Sequence, residues 1–145
     1  MRWLRQWWPA MAWAAAIFFF STGAFGGEST SRFIIPFLRW LLPDAPPETL
    51  FQLHFLIRKA GHFVEYFFLS LLVLRGLRGG AGGWRLRWGL AALLISTGYA
   101  ATDEFHQYFV PSRGAAAQDV LLDAAGAAVA QAVARLWLGK NENRK

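Results

Sequence analysis

His62 and Glu65, three residues apart in an apolar run, and Asp103, Glu104 and His106, gathered in a second one, are the side chains of this 145-residue sequence whose types could do chemistry. Imidazole and carboxylate together can move a proton, with His62 as general acid or base and Glu65 as its orienter, because His titrates near the working pH. The same five residues offer nitrogen and oxygen donors at ligand-like spacing, a set able to hold a divalent ion against a phosphate. A third reading needs no reaction. Arg58 and Lys59 would neutralise Glu65 and Asp103, with His62 hydrogen-bonded between them, since buried charges are usually paired. Gln107, Asp119 and Asp123 extend the polar set, and Arg113 is of the type that forks onto a phosphate or carboxylate, although an exposed loop Arg is more often solvated. Asp119 equally reads as the cap of the helix that follows it. His54, one turn before Arg58, reads as an interfacial residue with no special task.

These groups must be positioned by apolar elements. The chain is 55% hydrophobic and 17% aromatic, with eight Trp and thirteen Phe, and its apolar residues lie in long blocks. A period of two or a narrow helical stripe would mark a water-soluble core; long blocks point to a bilayer as the solvent, with Trp collecting at its interfaces. About 20 apolar residues cross a ~30 Å hydrocarbon layer. Four segments come close: Trp7 to Phe25, Phe55 to Leu74, Trp88 to Gln107, and Val120 to Leu138. The expectation is an all-α membrane protein, one domain, with four transmembrane helices in a small bundle.

Basic residues set the direction. Ten of the fifteen, from Arg2 and Arg5 through Arg75, Arg78, Arg85 and Arg87 to Arg135, Lys140, Arg144 and Lys145, fall on one side of such a bundle. That side is then cytoplasmic, with both termini inside. Topology thus explains the net charge of +6 without a nucleic-acid partner. A competing reading of the first span is a signal peptide cleaved near Ala24, which leaves the other three unchanged. With no Cys there is no disulfide framework, and the redox compartment cannot be read.

Between the first two spans, Ser31 to Pro43 is apolar but short and bounded by Pro36 and Pro43, the pattern of an interfacial segment on the outer surface. The run D-A-P-P-E-T then looks like a helix start with Pro47 in the first turn. The second helix would begin about two turns outside the hydrocarbon. A Gly-rich basic stretch, L-R-G-G-A-G-G-W-R, makes a cytoplasmic turn between the second and third spans.

Helix rise places Glu65 about 14 Å and His62 about 18 Å above the inner end, Asp103 about 22 Å, and Asp123 and Asp119 about 22 and 28 Å. Three helices thus deliver their ionisable groups to one depth range. Residues three or four apart share a helix side, so Arg58, His62 and Glu65 form one stripe, Asp103, His106 and Gln107 another, and Asp119, Asp123 and Gly126 a third. Packing that turns these stripes toward one another spares the charges from lipid, where each would cost roughly 2.5 kcal/mol or more. Gly126 would let a neighbouring helix approach closely.

The segments R-K-A-G-H-F-V-E-Y, D-E-F-H-Q-Y-F-V-P-S-R and D-V-L-L-D-A-A-G, between Arg58 and Gly126, resemble the VanZ-like family of small bacterial membrane proteins. Two positions depart from the family pattern: Ser112 stands where Gly is usual, and Asp123 where Asn is expected, which adds a negative charge to the cluster. The founding member is associated with low-level teicoplanin resistance. The resemblance therefore implies a fold and a resistance phenotype without supplying a reaction.

Two function classes follow. In the first, an outward-facing polar pocket binds or modifies a lipid-linked cell-envelope component or a lipoglycopeptide antibiotic, with membrane lipids around it. His62, Glu65, Asp103, Glu104 and His106 are then the catalytic candidates, and Arg58, Lys59, Gln107, Arg113, Asp119 and Asp123 the ligand-binding ones. In the second, the protein is a non-catalytic membrane module whose buried ion pairs fix helix packing for a protein partner. A transporter would need more room than four spans give unless the protein oligomerises.

Overall fold

The computed structural model describes residues 2–110 and 117–142. They form five helices: α1 (Arg2–Phe20), α2 (Gly27–Leu41), α3 (Pro47–Arg78), α4 (Leu86–Tyr108) and α5 (Ala117–Glu142), with a 3-10 turn at Gly23–Phe25. The expectations placed on Ser112 and Arg113 lie outside the described residues.

Two boundaries differ from the sequence reading, each for a local reason. The first span was expected to run to Phe25, but α1 stops at Phe20. There Ser21 Oγ donates to the Phe18 carbonyl and Thr22 Oγ1 to that of Phe19, 3.0 and 2.7 Å. Hydroxyls that bond the last-turn carbonyls compete with helix continuation. The segment taken as bounded by Pro36 is in fact a helix from Gly27 to Leu41, with Pro36 inside it. Proline removes one backbone donor there, a local loss that the flanking turns survive, whereas Pro43 restricts the residue before it and coincides with the helix end. Phe33, Phe37, Trp40 and Leu41 of α2 stay exposed while Leu38 is buried.

The longest helix, α3, starts at Pro47 as expected. It ends where Gly79 takes φ 59° and returns its N–H to the Arg75 carbonyl. That left-handed conformation suits a residue without Cβ.

Contacts along the helices fix their relative directions. Gln6 Nε2 donates to the Gly79 carbonyl, Trp7 covers Gly76, and Trp13 Nε1 donates to the Glu65 carbonyl, so α1 runs antiparallel to α3. Tyr99 donates to the Ala14 carbonyl and His106 lies on Phe18, so α4 runs parallel to α1. Lys59 pairs with Asp119 and Ser70 bonds Ala127 and Gln131, so α5 runs parallel to α3.

Many large apolar residues face outward, and several polar ones lie inside among the core residues Ile17, Tyr66, Leu69 and Val73. Leu94, Phe105, Leu121, Leu136 and Trp137 are exposed, whereas Ser70, Ser96, Asp103, Asp123 and Gln131 are buried. Water would drive the opposite arrangement; this one suits a hydrocarbon solvent in which small and polar residues join helices. Two helices, α3 and residues Gln118–Gly139 of α5, are long and apolar enough to cross a membrane. Among the described residues α1 and α4 do not reach that level. The first carries Arg2, Arg5 and Gln6, and the second Arg87, Asp103 and Glu104.

Candidate functional site

The seam between α3 and α5 places the polar residues. A Cβ on Gly126 would overlap the Phe63 carbonyl oxygen, so the two backbones touch there and the side chains on either side are brought together. Above this point Lys59 forms an ion pair with Asp119, and His62 Nδ1 faces Asp123 Oδ1 at 3.6 Å. Below it, Gln131 Nε2 donates to Ser70 Oγ at 2.8 Å, and Ser70 Oγ donates to the Ala127 carbonyl at 3.2 Å. Trp84 Nε1 donates to Gln131 Oε1 and ties the α3–α4 connection to the same seam.

Lys59 and Asp119 therefore partner each other. Asp119, expected as a possible cap, lies in the first turn of α5 with its carboxylate turned onto α3. The pair is partly exposed, 26% and 13% for the two side chains, so solvent screens some of its attraction. A double-mutant cycle of Lys59→Met and Asp119→Asn is expected to give a coupling of about 1 kcal/mol. Thermal unfolding in detergent reads it, and a value near zero would remove this pair from the forces that hold the seam.

Glu65 was expected to orient His62, and His62 Nδ1 in addition faces a carboxylate on another helix, that of Asp123, which is 2% exposed. On α4 the Gln107 amide donates to Asp103 Oδ2 at 3.0 Å. Asp103 Oδ1 has no hydrogen-bond partner among the described residues.

Arg58, His62, Glu65 and Asp103 share the wall of one partly open cavity of about 280 Å³. Thr30 and Ile34 of α2 close one side of it, and Phe20 and Ile57 add apolar surface. A second space of about 160 Å³ lies beside it, lined by Arg58, Lys59, His62 and Asp119. Arg58 and His62 thus border both.

The remaining candidates lie nearby. Glu104 and Gln107 are buried on α4, and His106 stacks against Phe18 of α1 with ring centroids 4.8 Å apart. Among the described residues no group of three or more His, Asp or Glu side chains is placed to hold a metal ion.

Three contributors went unnoticed in the sequence. Thr30 Oγ1 lies 3.0 Å from His54 Nε2, so His54, expected to be idle at the interface, is buried and joins α2 to α3. Ile34 is one turn further along the same α2 face. Gln131, eight residues beyond Asp123, continues the α5 stripe, and that spacing is the signal that would have found it.

Chemically, the cavity offers a guanidinium that can fork onto an anion, an imidazole backed by a buried carboxylate, and apolar walls. An imidazole so placed can accept or donate a proton at the cavity side. The family model described as VanZ/LLP1 matches residues 7–138. No curated protein and no solved structure matches the chain.

Proposed function

We propose, from the premise that this chain belongs to the VanZ-like (VanZ/LLP1) family, that it is a four-span protein of the bacterial cytoplasmic membrane that takes an anionic amphiphile into its outer half. Both termini face the cytoplasm. The ligand is a lipid-linked cell-envelope component or a lipoglycopeptide antibiotic, and a teicoplanin-resistance phenotype would follow from sequestering or altering either one. The cavity carries this reading: Arg58, His62, Glu65 and Asp103 stand beside the apolar side chains of Phe20, Ile34 and Ile57. A charged head group beside an acyl or polyprenyl chain needs that combination.

The helix directions support the topology, since α1 and α4 run one way and α3 and α5 the other, as four successive crossings require. Arg75, Arg78, Arg85, Arg87 and Arg135 then gather at the cytoplasmic end. In that orientation α2 lies along the outer interface with its aromatic face in the head-group layer.

Purified protein titrated with a polyprenyl phosphate and with the uncharged polyprenol of equal length tests the reading. Binding of the phosphate at least tenfold tighter is expected, since a hydrogen-bonded charge contributes about 1.5 to 3 kcal/mol. Equal affinities would contradict it.

The buried seam from Lys59–Asp119 to Ser70–Gln131 favours a second reading, a non-catalytic module whose polar contacts fix helix register. A stoichiometric protein partner in cross-linking, together with a phenotype unchanged by His62→Ala and Asp103→Asn, would select that reading over the first.

A further inference from the structure

At the end of the bundle opposite the cavity, α3 and α5 leave an apolar groove of about 240 Å³. Leu74 and Ala134, 2% and 5% exposed, form its floor, and Val133 and Trp137 rise beside it. Eight residues of α3, from Leu71 to Arg78, span about 10 Å along its length. Arg75 and Arg78 also line it. Arg78 Nη2 donates to the Ala81 carbonyl at 2.9 Å, which fixes the guanidinium in place. Its Nε is buried and has no acceptor among the described residues. Arg135, another cation near this end, is engaged over the Trp84 ring at 5.6 Å. Among the described residues no acidic side chain lines the groove.

A buried donor without an acceptor is costly, and two arginines lining an otherwise apolar slot call for an anion carrying a chain. We propose that this groove is a binding site for one anionic phospholipid of the leaflet at this end. Its phosphate lies against Arg75 and Arg78, and an acyl chain lies along Leu71, Leu74, Val133 and Trp137. Annular lipid would touch the same surface without regard to charge; the arginine pair makes the site selective for an anionic head group. The inference rests on the bilayer placement proposed above but not on the outer cavity.

Trp137 is the reporter, its emission taken as the difference between the wild-type chain and Trp137→Phe. The full-length protein is reconstituted in phosphatidylcholine vesicles containing brominated phosphatidylglycerol or, at equal mole fraction, brominated phosphatidylcholine. The anionic quencher is expected to act at about fivefold lower mole fraction. Arg75→Gln, which leaves the Arg78–Ala81 contact intact, is expected to remove most of that preference, and Arg58→Ala to leave it unchanged. Equal quenching by the two lipids, or a preference that survives Arg75→Gln, would overturn the site. Quenching by neither would overturn the bilayer placement as well. Soluble glycerol phosphate that displaces the brominated phosphatidylglycerol would show an anion site with no role for the groove, and would also overturn the proposal.

Discussion

Arg58→Ala is expected to weaken binding of a polyprenyl phosphate about 10- to 100-fold, the largest functional loss of any single change in the cavity. The side chain borders three adjoining spaces, shared with His62 and Asp103, with Lys59 and Asp119, and with Glu28 and His54. It also packs where a Cβ on Gly27 would fall, 2.8 Å from its Nη1, so α2 holds it in position. Losing a charge-assisted pair costs about 1.5 to 3 kcal/mol, and each 1.4 kcal/mol is a factor of ten in affinity. Arg58→Lys keeps the charge but loses the planar fork, and is expected to recover only part of the affinity. Titration of the three proteins measures the series. Wild-type affinity in Arg58→Ala would show that the head group is held elsewhere.

Gly126 is the position where a small change should do most structural damage. An added methyl group meets the backbone oxygen of Phe63, and a backbone atom inside a helix cannot turn aside as a flexible side chain can. The two helices must separate, and the rungs on either side, His62–Asp123 and Ser70–Gln131, separate with them. Gly126→Ala is expected to cost about 1 to 3 kcal/mol, the usual range for overpacking, and Gly126→Val more. Gly61 and Gly98 are the controls, since a Cβ there meets nothing within 4 Å. Their Ala variants should stay within about 0.5 kcal/mol of wild type. Thermal unfolding in detergent, followed by Trp emission, compares all four. A wild-type midpoint for Gly126→Val would mean that the α3–α5 contact is not tight.

Much of this arrangement was legible because helical spacing is a local property. The stripe of Arg58, His62 and Glu65, and that of Asp119, Asp123 and Gly126, follow from residues three and four apart, and their helices do pack together. What spacing does not carry is how far each helix rotates about its own axis. That rotation gives His62 the carboxylate of Asp123 and gives Lys59 that of Asp119, and it turns His106 onto Phe18. The contribution of α2 was hidden for a different reason: Pro36 reads as a boundary in sequence, yet the helix runs through it, and Thr30 and Ile34 reach the cavity from its earlier turns. The first apolar segment, read as Trp7 to Phe25, is a helix to Phe20, and among the described residues α3 and Gln118–Gly139 of α5 are the helices long and apolar enough to cross a membrane.

The chain has no cysteine, so a single one can report on the cavity without background. Gly61 lines the cavity, and a side chain added there meets no neighbour within 4 Å. In cells making Gly61→Cys, a membrane-impermeant maleimide added from outside is expected to label the protein, and a polyprenyl phosphate supplied beforehand to block that labelling. Labelling that requires permeabilised cells, or that the lipid leaves unchanged, would contradict an outward-facing cavity that takes up an anionic amphiphile.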